Sequence, residues 1–247
     1  WAARLADVGE NVDPVAAAVR TLLGPAPEAA DVTVRLPGDP GGRVLTGTVS
    51  ELRGGVLVRA VYSKLAAKHR LRAWVQLLAV AAARPERPLT AVTIGRGRTR
   101  RPSAARSVLS APPPDEAARL LAGLVRLYDR ALCEPLPFIP AVSELYAAGR
   151  AGGDDEPVAL AAARTEFEAT LQGSDRRLAT DDYHDLVWGA GVRFRDLLGS
   201  TTDIDPAQDL ARVGGERAAL SGESTRFGML ARLVWDPLLA HELRGAG

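Results

Sequence analysis

Two periodicities divide this chain. Apolar residues alternate with a period of two in its first half and recur near every 3.6 positions elsewhere, and their order sets the expected elements. Val32, Val34 and Leu36 fall on one side of a strand over 32–36. Pro37-Gly38-Asp39-Pro40-Gly41-Gly42 is a turn, because Pro presets φ while Gly and Asp tolerate left-handed backbone. It returns the chain into a strand over 43–50, in which Gly47 is read as a sharp backbone position. Gly54-Gly55 turns the chain again into a strand over 56–62, which completes a three-stranded antiparallel meander. A helix is predicted from Ser63 to Arg84, stopped by Pro85, with Leu71, Trp74, Val75 and Leu78 as its apolar stripe. Thr90–Ile94 reads as a further short strand, and Gly95–Arg106 as a basic loop or hairpin.

Helical spacing governs the rest. Residues 1–23 read as helix, with Asp13-Pro14 as an N-cap and N1 pair, and Gly24-Pro25 ends it. Pro112-Pro113-Pro114 separates the two halves. Asp115 caps a helix to Leu132 that buries Leu120, Leu121, Leu124, Val125 and Tyr128. A Pro-rich connection over 134–140 leads to a short helix at 143–149, and 156–172 is another helix. Residues 181–198 are aromatic and partly helical, and 225–243 form an amphipathic helix bent or interrupted at Pro237. The expected fold class is α/β (α+β): an antiparallel-containing sheet followed by a helix-rich second half.

Composition narrows the function classes. The chain has 247 residues, 47% of them hydrophobic, and a mean hydropathy of -0.02. That suits one globular domain, alone or with a helical annex. No apolar run approaches the roughly 18–20 residues of a membrane span, so no membrane association is expected. Trp1 rather than Met at the first position is the pattern expected of a piece of a longer chain. Cys133 is the only cysteine, which rules out an intrachain disulfide and a Cys-rich zinc site. It fits a reducing, cytoplasmic setting and is read as a packed small residue. Of 31 basic residues only Lys64 and Lys68 are lysines, leaving 29 arginines. GC-rich codon usage accounts for such a bias; so do phosphate contacts through the planar guanidinium fork.

The order strand, turn, strand, helix is the core unit of the PD-(D/E)XK nuclease fold. Such a site needs an acid on one strand and Asp/Glu-x-Lys on the next, because magnesium takes oxygen ligands and activates water against phosphate. Here the first position falls on Ser50. The second falls on Arg59-Ala60-Val61 or on Tyr62-Ser63-Lys64, depending on register. Neither holds an acid. Residues 52–85 contain no Asp or Glu at all, but do contain Arg53, Arg59, Lys64, Lys68, Arg70, Arg72 and Arg84. Glu51 is a stray carboxylate. A residual nuclease would need Asp181, Asp182 or Asp185 to converge on Ser50. No Walker A loop or Gly-x-Ser-x-Gly occurs, and Gly95-Arg96-Gly97 is too short for a dinucleotide fingerprint. His69 and His241 stand apart from other ligands, while His184 among acids reads as a metal ligand or a solvated helix start. No cofactor and no metal are expected.

Two basic features remain. Arg96, Arg98, Arg100, Arg101 and Arg106 lie in a stretch, 90–110, without an acid, where Gly95 and Gly97 permit close backbone approach. Lys64, Lys68 and Arg72 recur at i, i+4, i+8. Both sets could grip phosphates without reading base sequence. A partner protein's acids and plain solvation are the alternatives for each.

An ordered set of segments resembles the RecC C-terminal domain family, a subunit domain of the RecBCD helicase–nuclease, exodeoxyribonuclease V. The segments are 32–36, 43–50, Leu57–Arg59, Trp74 with Gln76-Leu77-Leu78, Leu127–Leu132 with Glu134–Pro137, Ala162–Phe167, Asp181-Asp182-Tyr183, Leu186-Val187-Trp188 and Trp235–Leu239. The resemblance runs from about residue 31 to the end, after an N-terminal helical segment over 1–30. It implies a fold like the nuclease domain of RecB without a working site. In active relatives a Gln-x-x-x-Tyr element helps to place DNA. Gln76 keeps its first position, but Val80 stands where Tyr would. The resemblance also implies RecB-like and RecD-like subunits and double-stranded or forked DNA as partners, near a strand-separating pin for which Gly95–Arg106 is a candidate. Two functions follow as expectations: a non-catalytic domain that contacts DNA and docks subunits, or a protein-interaction scaffold that never touches DNA.

Overall fold

Strands β1 (Glu28–Arg35), β2 (Val44–Arg53), β3 (Val56–Lys64), β4 (Thr90–Arg96) and β5 (Ala104–Ser110) form one open sheet in sequence order. The computed structural model describes residues 2–97, 101–172, 186–189, 191–199 and 222–243. These fall into two units, residues 1–122 with 241–247, and residues 123–240.

In the first unit β1, β2 and β3 are the antiparallel meander expected from the sequence. Gly54 and Gly55 turn between β2 and β3 with φ of 56° and 95°, values that only glycine adopts cheaply twice in succession. Gly47 is no sharp position; it lies mid-strand opposite Val32. β3 and β4 run parallel, which no hairpin can connect, and helix α2 (Ala67–Ala83) makes the crossover. β5 returns antiparallel to β4 as the second arm of a hairpin.

Both faces of β4 are covered, since Ala91 to Gly95 are all buried. On one face Val92 and Ile94 pack with Val15, Ala18, Val19 and Leu22 of helix α1 (Ala2–Arg20) and the segment after it. α1 is continuous through Pro14 instead of starting there. Pro keeps a helical φ and removes a single hydrogen bond, so helix on both sides of it outweighs the loss.

α2 departs from expectation at its start. β3 continues to Lys64, paired with Arg96 after a register shift beyond Ala60, and the helix opens only at Ala67. The Ser63 hydroxyl meets His69 Nε2 at 2.8 Å instead of capping backbone. Lys64 therefore does not share a helical stripe with Lys68 and Arg72. The buried face carries Ala73, Trp74, Leu77, Leu78 and Ala81, while Val75 points outward. The small alanines bring the helix close to the sheet, and each large apolar side chain buried there contributes about 1.5–3 kcal/mol.

Residues 241–243 extend the sheet beside β5. Ser110 N–H donates to the His241 carbonyl at 2.9 Å, and Leu243 N–H to that of Val108 at 2.8 Å. The Glu242 carboxylate accepts from Arg70 Nε at 3.0 Å and from the Ser107 hydroxyl at 2.6 Å. The His241 ring lies 5.4 Å from that of Trp74.

Helix α3 (Pro114–Ala131) leads to the second unit, with helices α4 (Pro140–Gly152), α5 (Glu156–Gln172) and α6 (Arg226–Ala240). Their core gathers Ile139, Val142, Tyr146, Phe167, Phe194 and Phe227. α4 starts at Pro140, whose missing N–H costs nothing at a first helical position, rather than at Ser143. α6 passes through Pro237 as one helix. The buried Glu223 carboxylate accepts from Tyr146 Oη, from Arg150 Nε at 2.9 Å and from Arg232 Nη1 at 2.9 Å. Burial pushes Glu223 up, but these donors outweigh it and hold the carboxyl below its ordinary range. Tyr128, expected in the core, is 62% exposed, and Leu132 one turn later is 69% exposed. Cys133 is likewise exposed instead of packed.

Candidate functional site

β2 and β3 pair only through Leu52–Leu57 and Arg53–Val56. Beyond these pairs β2 stays with β1 while β3 stays with β4, and the sheet forks. Glu51 sits at the split with φ of 67°, a left-handed backbone for a non-glycine residue that costs of the order of 1–3 kcal/mol. An irregularity in the β1–β2 register between Glu28 and Ala30 lies opposite. An open cleft of about 390 Å³ occupies the fork. β2 contributes Glu51 and Arg53, β3 contributes residues 58–61, α2 contributes His69 and Arg72, and Val19 and Leu23 close the α1 side.

The electrostatics of this cleft are cationic. Arg53 is committed: its Nη1 donates to the Pro25 carbonyl at 3.0 Å and its Nη2 lies 3.7 Å from Glu51. Arg59 donates from Nε to Gln76 Oε1 at 2.5 Å. Burial, and then the nearby positive charge of Arg72, push the Arg59 guanidinium below its ordinary pKa. Burial, then Lys68 and Arg72, push His69 down as well. One carboxylate thus faces three guanidinium groups. Among the described residues no group of three or more His, Cys, Asp or Glu side chains could hold a metal ion.

Of the candidate site residues, Arg72 lines this cleft itself. Gln76 contacts the cleft through Arg59, while Val80 is fully packed in the core. Ser50 is an exposed strand residue next to Glu51. Tyr62 and Lys64 close β3, and the Arg96 guanidinium stands 4.7 Å over the Tyr62 ring. Lys64 is Arg96's partner in the parallel register, so two cations meet at one end of the sheet. Lys68 and Arg72 are exposed on α2.

The arginine-rich stretch splits. Arg96 belongs to β4, where Asn11 Oδ1 accepts from its Nη1 at 3.3 Å, so it is no free loop cation. Arg101 lies in the connection and Arg106 on β5 opposite Ile94, both exposed. Arg98 and Arg100 lie outside the described residues, as do Asp181, Asp182, His184 and Asp185. The glycines serve the protein itself: a side chain on Gly95 would meet Ser63 and Leu65 backbone at 3.0 Å, and one on Gly97 would collide with Ser103. Sequence reading missed the cleft's central pair, Arg59 and Gln76, as a contact; the signal was their shared place in the acid-free stretch.

The family model for the RecC C-terminal domain matches residues 2–151. The RecBCD enzyme subunit RecC of Mycobacterium tuberculosis (strain ATCC 25618 / H37Rv) is 41% identical over 215 residues, 87% of this chain and 17% of that protein. RecBCD enzyme subunit RecC of Mycolicibacterium smegmatis is 37% identical over 218 residues, 87% of this chain and 18% of that protein. The chain spans less than a fifth of the length of these relatives. It belongs to the RecC C-terminal domain family.

Proposed function

We propose that this chain is a non-catalytic domain of a RecBCD-type helicase–nuclease acting in double-strand-break repair, contacting DNA near strand separation and docking RecB-like and RecD-like subunits. The observation that carries this reading is the fork between β2 and β3, where arginines line the cleft and Glu51 is the one carboxylate. The sheet and helix order α1, β1, β2, β3, α2, β4 supports a degenerate PD-(D/E)XK core. Ser50 and either Arg59–Val61 or Tyr62–Lys64 stand at its acid positions. No cofactor is needed for a role that consists of phosphate contact and docking, and the working compartment is the cytoplasm.

Arg96, Arg98, Arg100, Arg101 and Arg106 with Lys64, Lys68 and Arg72 supply the phosphate contacts, and the β4–β5 hairpin is the element presented to a strand. The test is binding of labelled forked duplex with magnesium present. The fork should be bound and remain uncut. Arg98→Ala, Arg100→Ala and Arg101→Ala together should weaken binding and flatten its salt dependence. Metal-dependent cutting would sink the non-catalytic reading, and an unchanged slope would remove the hairpin from the DNA path.

A second reading, a scaffold without DNA contact, is favoured by one observation. Tyr128 and Leu132 are exposed on the last turn of α3 and just beyond it, at the i, i+4 spacing of a helix-presented anchor. The same DNA titration separates the two, since a scaffold binds no fork at low salt.

A further inference from the structure

We propose that the fork between β2 and β3 is a socket for one phosphodiester of a single DNA strand, gripped by Arg59 from the strand side and Arg72 from the helix side. The inference rests on the DNA-contacting reading above and assigns it a second contact, away from the hairpin.

Charge balance is the first argument. Arg53 has Glu51 and the Pro25 carbonyl as partners. Arg59 and Arg72 line the same cleft, and neither has a carboxylate within 4.0 Å among the described residues. Glu51 is the one carboxylate in the lining and lies beside Arg53, so Arg59 and Arg72 leave the cleft with an excess of positive charge. Like charges facing one cavity repel each other, and an anion between them removes that repulsion.

Orientation is the second argument. Gln76 accepts from Arg59 Nε, which fixes the guanidinium plane and leaves the two terminal nitrogens as donors. A planar, pre-oriented fork of this kind suits bidentate contact with phosphate oxygens. Arg72 is mounted separately on α2 and reaches the cleft from another direction. A phosphodiester offers two non-bridging oxygens, each able to accept more than one hydrogen bond, so both guanidinium groups can donate to one phosphate. The size of the cleft, about 390 Å³ and open, suits one nucleotide and not a duplex. Val19, Leu23 and Val58 give it an apolar wall for a sugar.

The test uses fluorescein-labelled hexathymidylate and the whole chain, by anisotropy across a salt series. Arg59→Gln and Arg72→Gln should each weaken binding by about fivefold or more. Each should also reduce the salt slope, by up to about 0.7 per lost phosphate neutralised. The double variant should lose less than the product of the two single losses, because both groups hold one phosphate. Arg72 is exposed, so Arg72→Gln keeps the fold and carries the test even where Arg59→Gln does not. Unchanged affinity and slope in Arg72→Gln would overturn the socket. So would displacement of the oligonucleotide by a hexaglutamate peptide at lower concentration than by unlabelled hexathymidylate, which would make the cleft a site for a partner's acids. If hairpin variants weaken fork binding while the cleft variants bind normally, the socket fails and the DNA-contacting reading stands. If the wild-type chain binds neither fork nor hexathymidylate, both fail.

Discussion

Arg59 on β3 donates from Nε to Gln76 Oε1 on α2 at 2.5 Å, and this bond ties the floor of the forked cleft to the helix beside it. It holds a cation in place. Gln76→Leu removes the acceptor and leaves a partly buried donor without its partner. The expected cost is about 1–3 kcal/mol, read as a lower urea midpoint with unchanged m-value. A midpoint equal to wild type would show that the bond contributes nothing to positioning Arg59.

His69 carries the pH signature of the cleft. Its folded pKa lies below the ordinary 6.5 because burial, Lys68 and Arg72 oppose the imidazolium. A depressed folded pKa contributes stability that is present above the unfolded value and lost as pH falls through the folded one. Unliganded chain should therefore lose stability as pH drops below about 6.5, and His69→Gln should lessen that loss. An anion in the cleft offsets Arg72 and raises the pKa of His69, so hexathymidylate binding should tighten as pH falls toward 6. Proton NMR of the three histidines follows both effects; a His69 resonance that does not move on DNA addition contradicts the second.

Arg70 and Glu242 form a partly shielded ion pair 172 residues apart. Glu242→Gln keeps the shape and removes the charge that answers Arg70. The expected loss is about 1.5–3 kcal/mol, together with faster amide exchange at Ser110 and Leu243, whose N–H groups bond across this edge. Unchanged exchange would mean that residues 241–243 are held by backbone pairing alone.

Glu223 is the electrostatic centre of the helical unit. Its folded carboxyl is held low by Tyr146, Arg232 and Arg150 against the opposing effect of burial. Its stabilisation is thus present above its unfolded pKa near 4.5 and fades as pH falls through the depressed folded value. Asp236 works in the opposite sense, because burial raises it. Glu223→Ala leaves Arg150 and Arg232 facing each other and should cost about 3–5 kcal/mol, with loss of the acid-induced transition in thermal melts. Gly228→Ala probes the same centre sterically. Its methyl group would stand 2.7 Å from Tyr146 Oη and 2.9 Å from Glu223 Oε2, for a cost of about 1–3 kcal/mol that Ala at the open position Gly152 should not show.

Local patterns were legible in the sequence, and contacts across distance were not. The β1–β2 hairpin follows from alternation at Val32 and Val34 and from the Pro-Gly turn, and α5 matches its predicted bounds of 156–172. Ser63 has the character of a helix cap, which would put Lys64 on the helix, but its hydroxyl meets the His69 side chain and the strand runs on. Val75 and Leu78 share helical spacing with Trp74, but alanines decide which side lies against the sheet, so Val75 faces out. The absence of acids over 52–85 argues against a magnesium site built from that stretch. It did not reveal that Arg70 finds its carboxylate at Glu242, or that β2 and β3 separate at Glu51. Such features depend on where the chain returns in space, and a local pattern carries no record of that.

The central claim is that this domain handles DNA strands without cutting them. Anisotropy of the chain with labelled forked and blunt duplexes, titrated with salt, tests it most directly. The account predicts tighter binding to the fork and an affinity that falls steeply with salt. No binding to either DNA at low salt would contradict it and leave the exposed Tyr128 and Leu132 as the domain's working surface.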